Sequence, residues 1–382
     1  MRIAYYCQHV LGVGHFFRSL EICRTCAVDH QVTMIVGGPK ISFSEARLSF
    51  LQLPGLRMDT DFNSLAPCDP GADLEEIKQR RQEQLLRFMD EYRPDCLIIE
   101  LYPFGRKAFR FELDPLLKRV RRRNPACRIY CSLRDILVEK TEGLEKFEQR
   151  AVDSLNKFFD GLLVHGDRKL VTLDRTFTKM DQVQVPTYYT GYVTPKPTSD
   201  SREKIRRSLA LSSDQKLVVA SIGSGSVGAE LLEAVLESST LLSEPAHSFF
   251  QLFTGPYLAE DLFNTLRQAQ SRNIRVQRFT DQFIDWLGAA DLSVSMAGYN
   301  TCMNTLAAGV PALLYPFAQN REQRMRVEKL TGSSAISLLE KKDLYPPRLA
   351  RLMADAIETD KVISPVNLDG ARFTKQLIEK QG

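Results

Sequence analysis

Short apolar runs alternate with amphipathic stretches along the whole chain. The run RIAYY at residues 2–6 is followed by a glycine-containing turn, by HFFRSLEICRTCA with helical periodicity, and by the apolar run QVTMIVGG. Short apolar runs predict buried strands, whereas helical spacing predicts amphipathic helices. The alternation continues through a polar helix at about 73–92, the strand DCLIIE, a helix at about 107–123, and the strands RIYCSLRD and GLLVHG. This order predicts a mostly parallel sheet covered by helices.

The segment VTPKPTSDSRE at 193–203 interrupts both periodicities and predicts a linker. A second alternating series follows it, with helices predicted to begin at about Val227, Tyr299 and Asn320. We therefore predict an α/β fold of two doubly wound, Rossmann-like domains, residues 1–192 and 193–382, with the last helix able to pack back on the first domain. Ligands of such sheets bind beyond the carboxyl ends of the strands, so the strand-to-helix turns are the expected sites.

The first such turn is Gly12-Val13-Gly14-His15. Glycines there let a ligand approach the backbone, and the N–H groups at a helix start favour anions, so Gly12 and Gly14 are candidate ligand-binding residues. Phe17 stands where a dinucleotide fingerprint requires a third glycine, which argues against a nicotinamide cofactor. His15 is a candidate general base if a second group orients its ring.

Two carboxylates are placed to support His15. Glu100 and Asp135 each end a predicted strand of the same sheet, where either could accept a hydrogen bond from the imidazole. The alternative interpretation is that these carboxylates pair with Arg106 or Arg134. Both interpretations remain open at this point.

The second half carries two uncharged turns at predicted helix starts. The run LVVASIGSGSVGA at 217–229 passes from a strand through Ser224, Gly225 and Ser226 into a helix, an arrangement that suits a diphosphate held by backbone N–H groups and hydroxyls. It lacks the Lys-Ser/Thr ending of a P-loop, which disfavours an ATPase. A second glycine- and serine-rich turn spans 295–301. Two such turns in one domain favour a phosphate site.

Composition excludes several classes of protein. The 382 residues are 43% hydrophobic and 26% charged, which is typical of a globular chain rather than a disordered one. A net charge of +4 does not predict nucleic-acid binding. No signal peptide or membrane span is predicted, and eight scattered cysteines indicate free thiols, so we expect a cytoplasmic protein.

The segment SMAGYNTCMNTLAAGVPALLYPFAQNREQRMRV at 295–327 resembles the nucleotide-sugar signature of GT-B glycosyltransferases, in particular family 28, which includes the MurG-like peptidoglycan N-acetylglucosaminyltransferases. The resemblance rests on the A-G-x-x-T turn, the A-x-G-x-P-A-L run at 307–313, Pro316, and Gln323 seven residues after that proline. The Gly-x-Gly-His turn resembles the family's acceptor-side loop. The phrases ELYPFGRKAF and SLRDIL look like those of a bacterial group of predicted glycosyltransferases.

The resemblance implies two facing Rossmann-like domains, with a UDP-sugar in the second and an acceptor in the first. It further implies His15 as the base, inversion at the anomeric carbon, and no metal or other cofactor. Asn304 stands where the family has a glutamate on the ribose. An amide can hydrogen-bond two hydroxyls but makes no charge-assisted bond, so the sequence departs from the family at this contact. Besides Gly12 and Gly14, the implied donor-binding residues are Ser224, Gly225, Ser226, Phe279, Thr280, Ala297, Gly298, Tyr299, Asn300, Thr301, Asn304 and Gln323.

Two other functions fit the same build. A UDP-sugar 2-epimerase would need carboxylates around the sugar in both domains, and a non-catalytic nucleotide-sugar-binding protein would need no base. The transferred sugar is expected to be N-acetylglucosamine or another hexose. The acceptor, a small molecule or a lipid-linked one, is not identified by the sequence.

Three further patterns carry weaker signals. Asp59-Thr60-Asp61 is a D-x-D of the metal-binding kind, and Cys23-Arg24-Thr25-Cys26 has C-x-x-C spacing but is interpreted as buried thiols. A basic run lies at a predicted helix C-terminus, where it is either a solvated face or a peripheral contact with anionic lipid at the inner face of the membrane. Its residues are Lys118, Arg119, Arg121, Arg122 and Arg123.

Overall fold

The computed structural model describes residues 1–9, 14–39, 45–58, 64–137, 143–242, 247–332 and 334–381. The chain forms two compact units: the first comprises Met1–Val193 and Asn367–Gly382, and the second Thr194–Val366. The predicted boundary after residue 192 is one residue from the observed division, and the last helix lies in the first unit. Gly12 and the D-x-D segment lie outside the described residues.

The first unit is built on a seven-stranded parallel sheet with an additional two-stranded antiparallel pair. Its strands are β1 (Arg2–Tyr6), β2 (Gln31–Val36), β3 (Ser49–Gln52), β4 (Leu56–Met58), β5 (Leu65–Pro67), β6 (Cys96–Glu100), β7 (Arg128–Arg134), β8 (Gly161–His165) and β9 (Thr187–Tyr189). Its α-helices are α1 (Gly14–Cys26), α2 (Leu74–Tyr92), α3 (Arg110–Arg123), α4 (Leu144–Phe158) and, at the end of the chain, α12 (Gly370–Gln381).

The large sheet of the first unit has the order β3-β2-β1-β6-β7-β8-β9, and the antiparallel pair is β4-β5. Helix α12 packs on α1 within this unit. Short 3-10 helices occur at Lys107–Phe109, Leu173–Arg175 and Met180–Gln182. Strands β6 and β8 are buried along their whole length, because helices cover both faces of the sheet, and this explains their continuous apolar sequence.

The second unit is a six-stranded parallel sheet in the order β12-β11-β10-β13-β14-β15, which is the strand order of the Rossmann fold. The strands are β10 (Lys216–Ser221), β11 (Ser248–Phe253), β12 (Ile274–Gln277), β13 (Leu292–Met296), β14 (Ala312–Tyr315) and β15 (Ile336–Leu338). The helices are α5 (Ser201–Ser208), α6 (Ala229–Ser239), α7 (Glu260–Gln268), α8 (Phe283–Ala289), α9 (Tyr299–Ala308), α10 (Arg321–Leu330) and α11 (Pro346–Ile357), with a 3-10 helix at Lys341–Leu344.

The strand order reverses at one point in each sheet, and these points locate the candidate sites. In the first unit β1 pairs with β6, with Tyr6 opposite Ile99, so the turn after β1 and the end of β6 are adjacent. In the second unit β10 pairs with β13, with Ser221 opposite Ser295. Both glycine-rich turns of the second unit therefore leave the sheet side by side at its topological switch point.

Some local expectations differ from the structure. Helix α6 begins at Ala229 rather than at about Val227, because Gly225 and Gly228 have φ of +88° and +92°, which are incompatible with a right-handed helix. Strand β3, the β4-β5 pair and helix α4 were not predicted from the sequence. The cysteines of the C-x-x-C, Cys23 and Cys26, are buried free thiols on α1, as predicted.

A buried ion pair that the sequence did not predict lies between α2 and α3. Arg81 and Glu112 are both fully buried, and two guanidinium nitrogens of Arg81 donate to the two carboxylate oxygens at 2.9 and 2.7 Å. Arg81 Nη1 also donates to the carbonyls of Gly37 and Pro54, at 3.0 and 2.6 Å. The pair therefore joins α2 to α3 and to the segments that follow β2 and β3.

Candidate functional site

His15 lies in the first turn of α1, directly beyond the carboxyl end of β1. Its Nδ1 is 2.6 Å from Oε1 of Glu100, the last residue of the neighbouring strand β6. The His15 side chain is 27% exposed, whereas Glu100 is fully buried. Since a carboxylate accepts, Nδ1 carries the proton of this hydrogen bond, and the lone pair of the neutral ring is on Nε2.

Two arginines share the same carboxylate. Arg18 Nη2 donates to Oε1 of Glu100 at 2.6 Å, and Arg106 Nη2 donates to Oε2 at 3.0 Å. The predicted alternatives for Glu100, support of His15 or pairing with Arg106, are therefore both realised at once. Among the described residues, Glu100 rather than Asp135 is the carboxylate hydrogen-bonded to His15, and Asp135 Oδ1 accepts from the N–H of Ile136 at 2.9 Å.

The surroundings of His15 keep its ring neutral. Burial lowers the pKa of His15 to about 4, and the guanidiniums of Arg106 and Arg18 act in the same direction, against the opposing effect of Glu100. Burial alone would raise the pKa of Glu100, but His15 and the two arginines outweigh it and hold that pKa well below its usual range. At neutral pH the site thus contains an ionised carboxylate and an imidazole that can accept a proton.

In the second unit, the turn between β10 and α6 is fixed by the neighbouring turn after β11. The N–H of Tyr257 donates to the carbonyl of Ser224 at 2.9 Å, and a Cβ on Gly255 would lie 2.3 Å from the carbonyl carbon of Ser224. The hydroxyls of Ser224 and Ser226 are 3.4 Å apart, and Ser226 is exposed. The predicted Ser224–Ser226 segment is therefore a rigid turn that presents hydroxyls beside the start of α6.

We expect Gly225→Ala to destabilise the second unit by several kcal/mol, since it combines a left-handed backbone strain of about 1–3 kcal/mol with a steric clash. Gly225 has φ of +88°, and its Cβ would lie 2.4 Å from the carbonyl oxygen of Thr254. The control is Gly223→Ala, where φ is +68° but nothing lies within 4 Å. Thermal unfolding of both variants is the measurement. Equal losses would show that the packing of this turn contributes nothing beyond its backbone conformation.

The second predicted turn precedes α9. Gly298 is the N-cap residue of α9. Because glycine has no side chain, it does not cap the backbone N–H groups of the first helical turn. The N–H of Ala297, by contrast, donates to the carbonyl of Tyr315 within the sheet, at 2.8 Å. Tyr299 is buried, with 7% of its surface exposed, and the centre of its ring lies 5.3 Å from the guanidinium carbon of Arg326. The turn is thus anchored by Ala297 and Tyr299, with Asn300 and Thr301 in its first helical turn.

The remaining predicted donor-binding residues lie on three elements of the second unit. Asn304, on α9, accepts a hydrogen bond at Oδ1 from the Thr194 hydroxyl at 2.8 Å. Gln323, on α10, accepts at Oε1 from the N–H of Phe317, at 2.9 Å, and so fixes the turn after β14. Phe279 and Thr280 follow β12; the Phe279 side chain is 39% exposed, and Thr280 Oγ1 accepts from the N–H of Gln282 at 3.1 Å.

The basic run on α3 is divided between partly buried, ion-paired residues and exposed ones. Arg119 pairs with Asp90, and Arg121 donates to the carbonyl of Phe158 at 2.7 Å and to Asp160 at 2.8 Å. The exposed members of the run are Lys118, Arg122 and Arg123. Within the described ranges, no helix combines the length and apolar character that a membrane crossing needs. No group of three His, Cys, Asp or Glu side chains in those ranges is arranged to hold a metal ion.

A family-model match covers most of the second unit and the last helix of the chain. Residues 219–380 match the family model of the glycosyltransferase family 28 C-terminal domain. The predicted resemblance to family 28 is thereby confirmed. The matched range contains both glycine-rich turns, helices α6 to α11 and all but the last residue of α12, so it carries the predicted donor-binding residues from Ser224 to Gln323.

Curated relatives are similar over part of the chain or at low identity. A UDP-N-acetylglucosamine--N-acetylmuramyl-(pentapeptide) pyrophosphoryl-undecaprenol N-acetylglucosamine transferase of Acetivibrio thermocellus is 29% identical over 151 residues, 38% of this chain and 40% of that protein. The protein of the same name from Halalkalibacterium halodurans is 30% identical over 166 residues, 42% of this chain and 45% of that protein. The chain thus aligns with less than half the length of these two relatives. An uncharacterized glycosyltransferase of Methanosarcina acetivorans is 20% identical over 321 residues, 78% and 76% of the two chains.

Solved structures extend the likeness to both units. MurG of Acinetobacter baumannii has a TM-score of 0.56 at 14% identity, covering 99% of each chain. The calicheamicin glycosyltransferase CalG4 has a TM-score of 0.57 at 14% identity, covering 100% of this chain and 95% of that one. At these identities the likeness establishes the fold, and the predicted class of two Rossmann-like, doubly wound units of the GT-B type is confirmed.

Proposed function

We propose that this chain is a glycosyltransferase that moves a sugar from a UDP-sugar to a hydroxyl or amine of an acceptor, with inversion and without a metal ion. The observation that carries this proposal is the His15–Glu100 hydrogen bond of 2.6 Å at the switch point of the first unit, in a chain whose second unit carries a family 28 domain. A neutral imidazole oriented by a buried carboxylate is what general-base catalysis requires.

In the proposed reaction His15 Nε2 removes the proton of the acceptor as its oxygen or nitrogen attacks the anomeric carbon of the donor sugar. The new glycosidic bond forms while the bond from the anomeric carbon to the diphosphate oxygen breaks, and UDP leaves. A single displacement on the face opposite the leaving group inverts the anomeric carbon. Glu100 stabilises the imidazolium that forms, because its charge lies next to Nδ1–H.

The second unit is proposed to hold the donor. The starts of α6 and α9 emerge side by side, and helix N-termini stabilise the negative charge that develops on a departing diphosphate. Phe279 and Thr280 are proposed at the base and Gln323 at the sugar. Asn304 is proposed at the ribose, where its amide would make neutral hydrogen bonds, so selectivity among nucleotides is expected to be weaker than a carboxylate would give.

The alternative enzyme, a UDP-sugar 2-epimerase, is less well supported by this site. Such an enzyme needs carboxylates around the sugar ring, and the turns at 222–228 and 297–301 contain none. A non-catalytic nucleotide-sugar-binding protein would retain the second unit and have no use for the hydrogen bond between His15 and the buried Glu100. The cytoplasm remains the proposed location.

We expect UDP to stabilise the protein against unfolding, and to do so equally with and without Mg²⁺. A ligand that binds only the folded state at 100 times its Kd adds about 2.7 kcal/mol to the free energy of unfolding. Calorimetry and thermal shift with UDP, GDP, dTDP and ADP, each with Mg²⁺ or with a chelator, make the measurement. Stabilisation that required the metal would contradict metal independence. No response to any nucleotide would remove the donor site from the proposal.

We also propose peripheral contact with anionic lipid through the exposed residues Lys118, Arg122 and Arg123. Each cation near an anionic surface contributes about 1 kcal/mol, so their joint replacement by glutamine should weaken binding to phosphatidylglycerol vesicles roughly 100-fold. Vesicle co-sedimentation is the measurement. The control is the double glutamine variant of Lys204 and Arg207, which are 68% and 74% exposed on α5. Equal binding by the wild type and the triple variant would exclude this surface.

A further inference from the structure

Glu100 receives more donors than the proposed function uses. Its two carboxylate oxygens accept hydrogen bonds from His15, Arg18 and Arg106, at 2.6, 2.6 and 3.0 Å. Arg18 comes from α1, one turn after His15, and Arg106 comes from the turn after β6. All three partners of the carboxylate therefore lie at one switch point of the sheet.

A carboxylate held only by His15 would be poorly fixed, because the His15 side chain is itself 27% exposed. The arginine side chains are much better buried, with exposures of 2% for Arg18 and 8% for Arg106. Each arginine donates to a different carboxylate oxygen, so together they fix the rotation of the group as well as its position. Arg106 does this from a left-handed backbone with φ of +58°, a conformation that a non-glycine residue adopts only at an energetic cost.

We propose that Arg18 and Arg106 are positioning residues, which hold the Glu100 carboxylate so that His15 keeps its proton on Nδ1 and presents Nε2 to the acceptor. This inference rests on the proposed function for its catalytic meaning, but the tautomer of His15 is a property of the protein alone. Neither arginine needs to contact the substrate for this role.

The same arrangement determines how strongly His15 holds a proton. The charged groups that face its ring are Glu100 from β6, Arg18 from α1 and Arg106 from the following turn, and the Cys7 thiol at the end of β1 contacts the His15 carbonyl at 3.6 Å. Burial and the two guanidiniums disfavour the imidazolium, whereas the Glu100 carboxylate favours it. Removing one guanidinium should therefore make His15 more basic, and also leave Glu100 less constrained.

The test is nitrogen NMR of the histidine side chains in protein labelled with ¹⁵N-histidine, with His15 assigned from the spectrum of His15→Gln. In the wild type His15 is expected as one neutral tautomer, protonated on Nδ1, that titrates near pH 4. In Arg106→Gln both tautomers should be populated, and the titration should lie about one pH unit or more higher. Arg18→Lys keeps the charge but loses the planar fork, so it should mix the tautomers with a smaller change in titration.

The control variant is Arg110→Gln, because Arg110 is 48% exposed and pairs with Asp114 rather than with Glu100. It should leave both the tautomer and the titration of His15 unchanged. A folded Arg106→Gln protein whose His15 keeps the wild-type tautomer and titration would overturn the positioning role. If the NMR result is as expected but no UDP-sugar is turned over, the proposed function fails and the positioning of His15 stands, so the two failures are distinguishable.

Discussion

Replacing His15 with glutamine is expected to lower kcat by roughly 10²- to 10⁴-fold, because a positioned general base contributes about that much to the rate. Binding of UDP should be unchanged, since Phe279, Thr280, Asn304 and Gln323, which are proposed to hold the donor, belong to the second unit. Glutamine has a similar reach and can still hydrogen-bond Glu100, but it cannot accept the acceptor's proton. Steady-state kinetics with a UDP-sugar and calorimetry with UDP measure the two effects separately.

The pH dependence of the wild type provides a second measure of the same group. The base must be unprotonated to act, and its pKa is lowered to about 4, so kcat/KM should fall only as the pH drops through about 4. His247→Gln is the control, because His247 is an exposed histidine of the second unit. Full turnover by His15→Gln would show that another group is the base, whereas loss of UDP binding would show that the substitution acts through the fold.

For the first site, the sequence predicted which residues end the strands but not which of them contact each other. A histidine after the first strand and acidic residues at the ends of two later strands are visible in the order of the elements. The choice between Glu100 and Asp135 depends on which strand lies next to β1, and that is β6, whose register is set by long-range pairing. The partner Arg18 is on a helix face that the periodicity marks as apolar, and only its buried contact with Glu100 reveals it.

The glycine-rich turn of the second unit was more predictable, because the backbone conformation of the turn itself requires its residue types. Gly225 is required by a left-handed backbone and by contact with Thr254, and both leave a signal in a glycine- and serine-rich turn. The sequence could not indicate which hydrogen bonds individual polar groups make inside the fold. The N–H of Ala297 is bonded to the sheet, and Asn304 and Gln323 each accept a hydrogen bond from the second unit. Which partner each group finds depends on the tertiary fold, because the partners lie between 6 and 110 residues away in the chain.

The largest effect on stability is expected from Arg81→Met, which should reduce the free energy of unfolding by about 3–5 kcal/mol because it leaves a buried carboxylate without its partner. Arg81 and Glu112 are fully buried, and the Tyr6 hydroxyl also donates to Glu112. Denaturant unfolding, followed by a probe in the first unit, measures the loss.

The neighbouring residue provides a matched control for this prediction. Arg80→Met makes the same chemical change one position earlier on α2, but Arg80 is 63% exposed and lies 3.8 Å from Glu76, so its cost should stay within about 0.5 kcal/mol. Adding Glu112→Leu to Arg81→Met should recover part of the loss, since the unpaired charge is then removed as well. If Arg81→Met cost no more than Arg80→Met, the buried ion pair would contribute nothing to stability, and the packing of α2 on α3 would depend on apolar contacts alone.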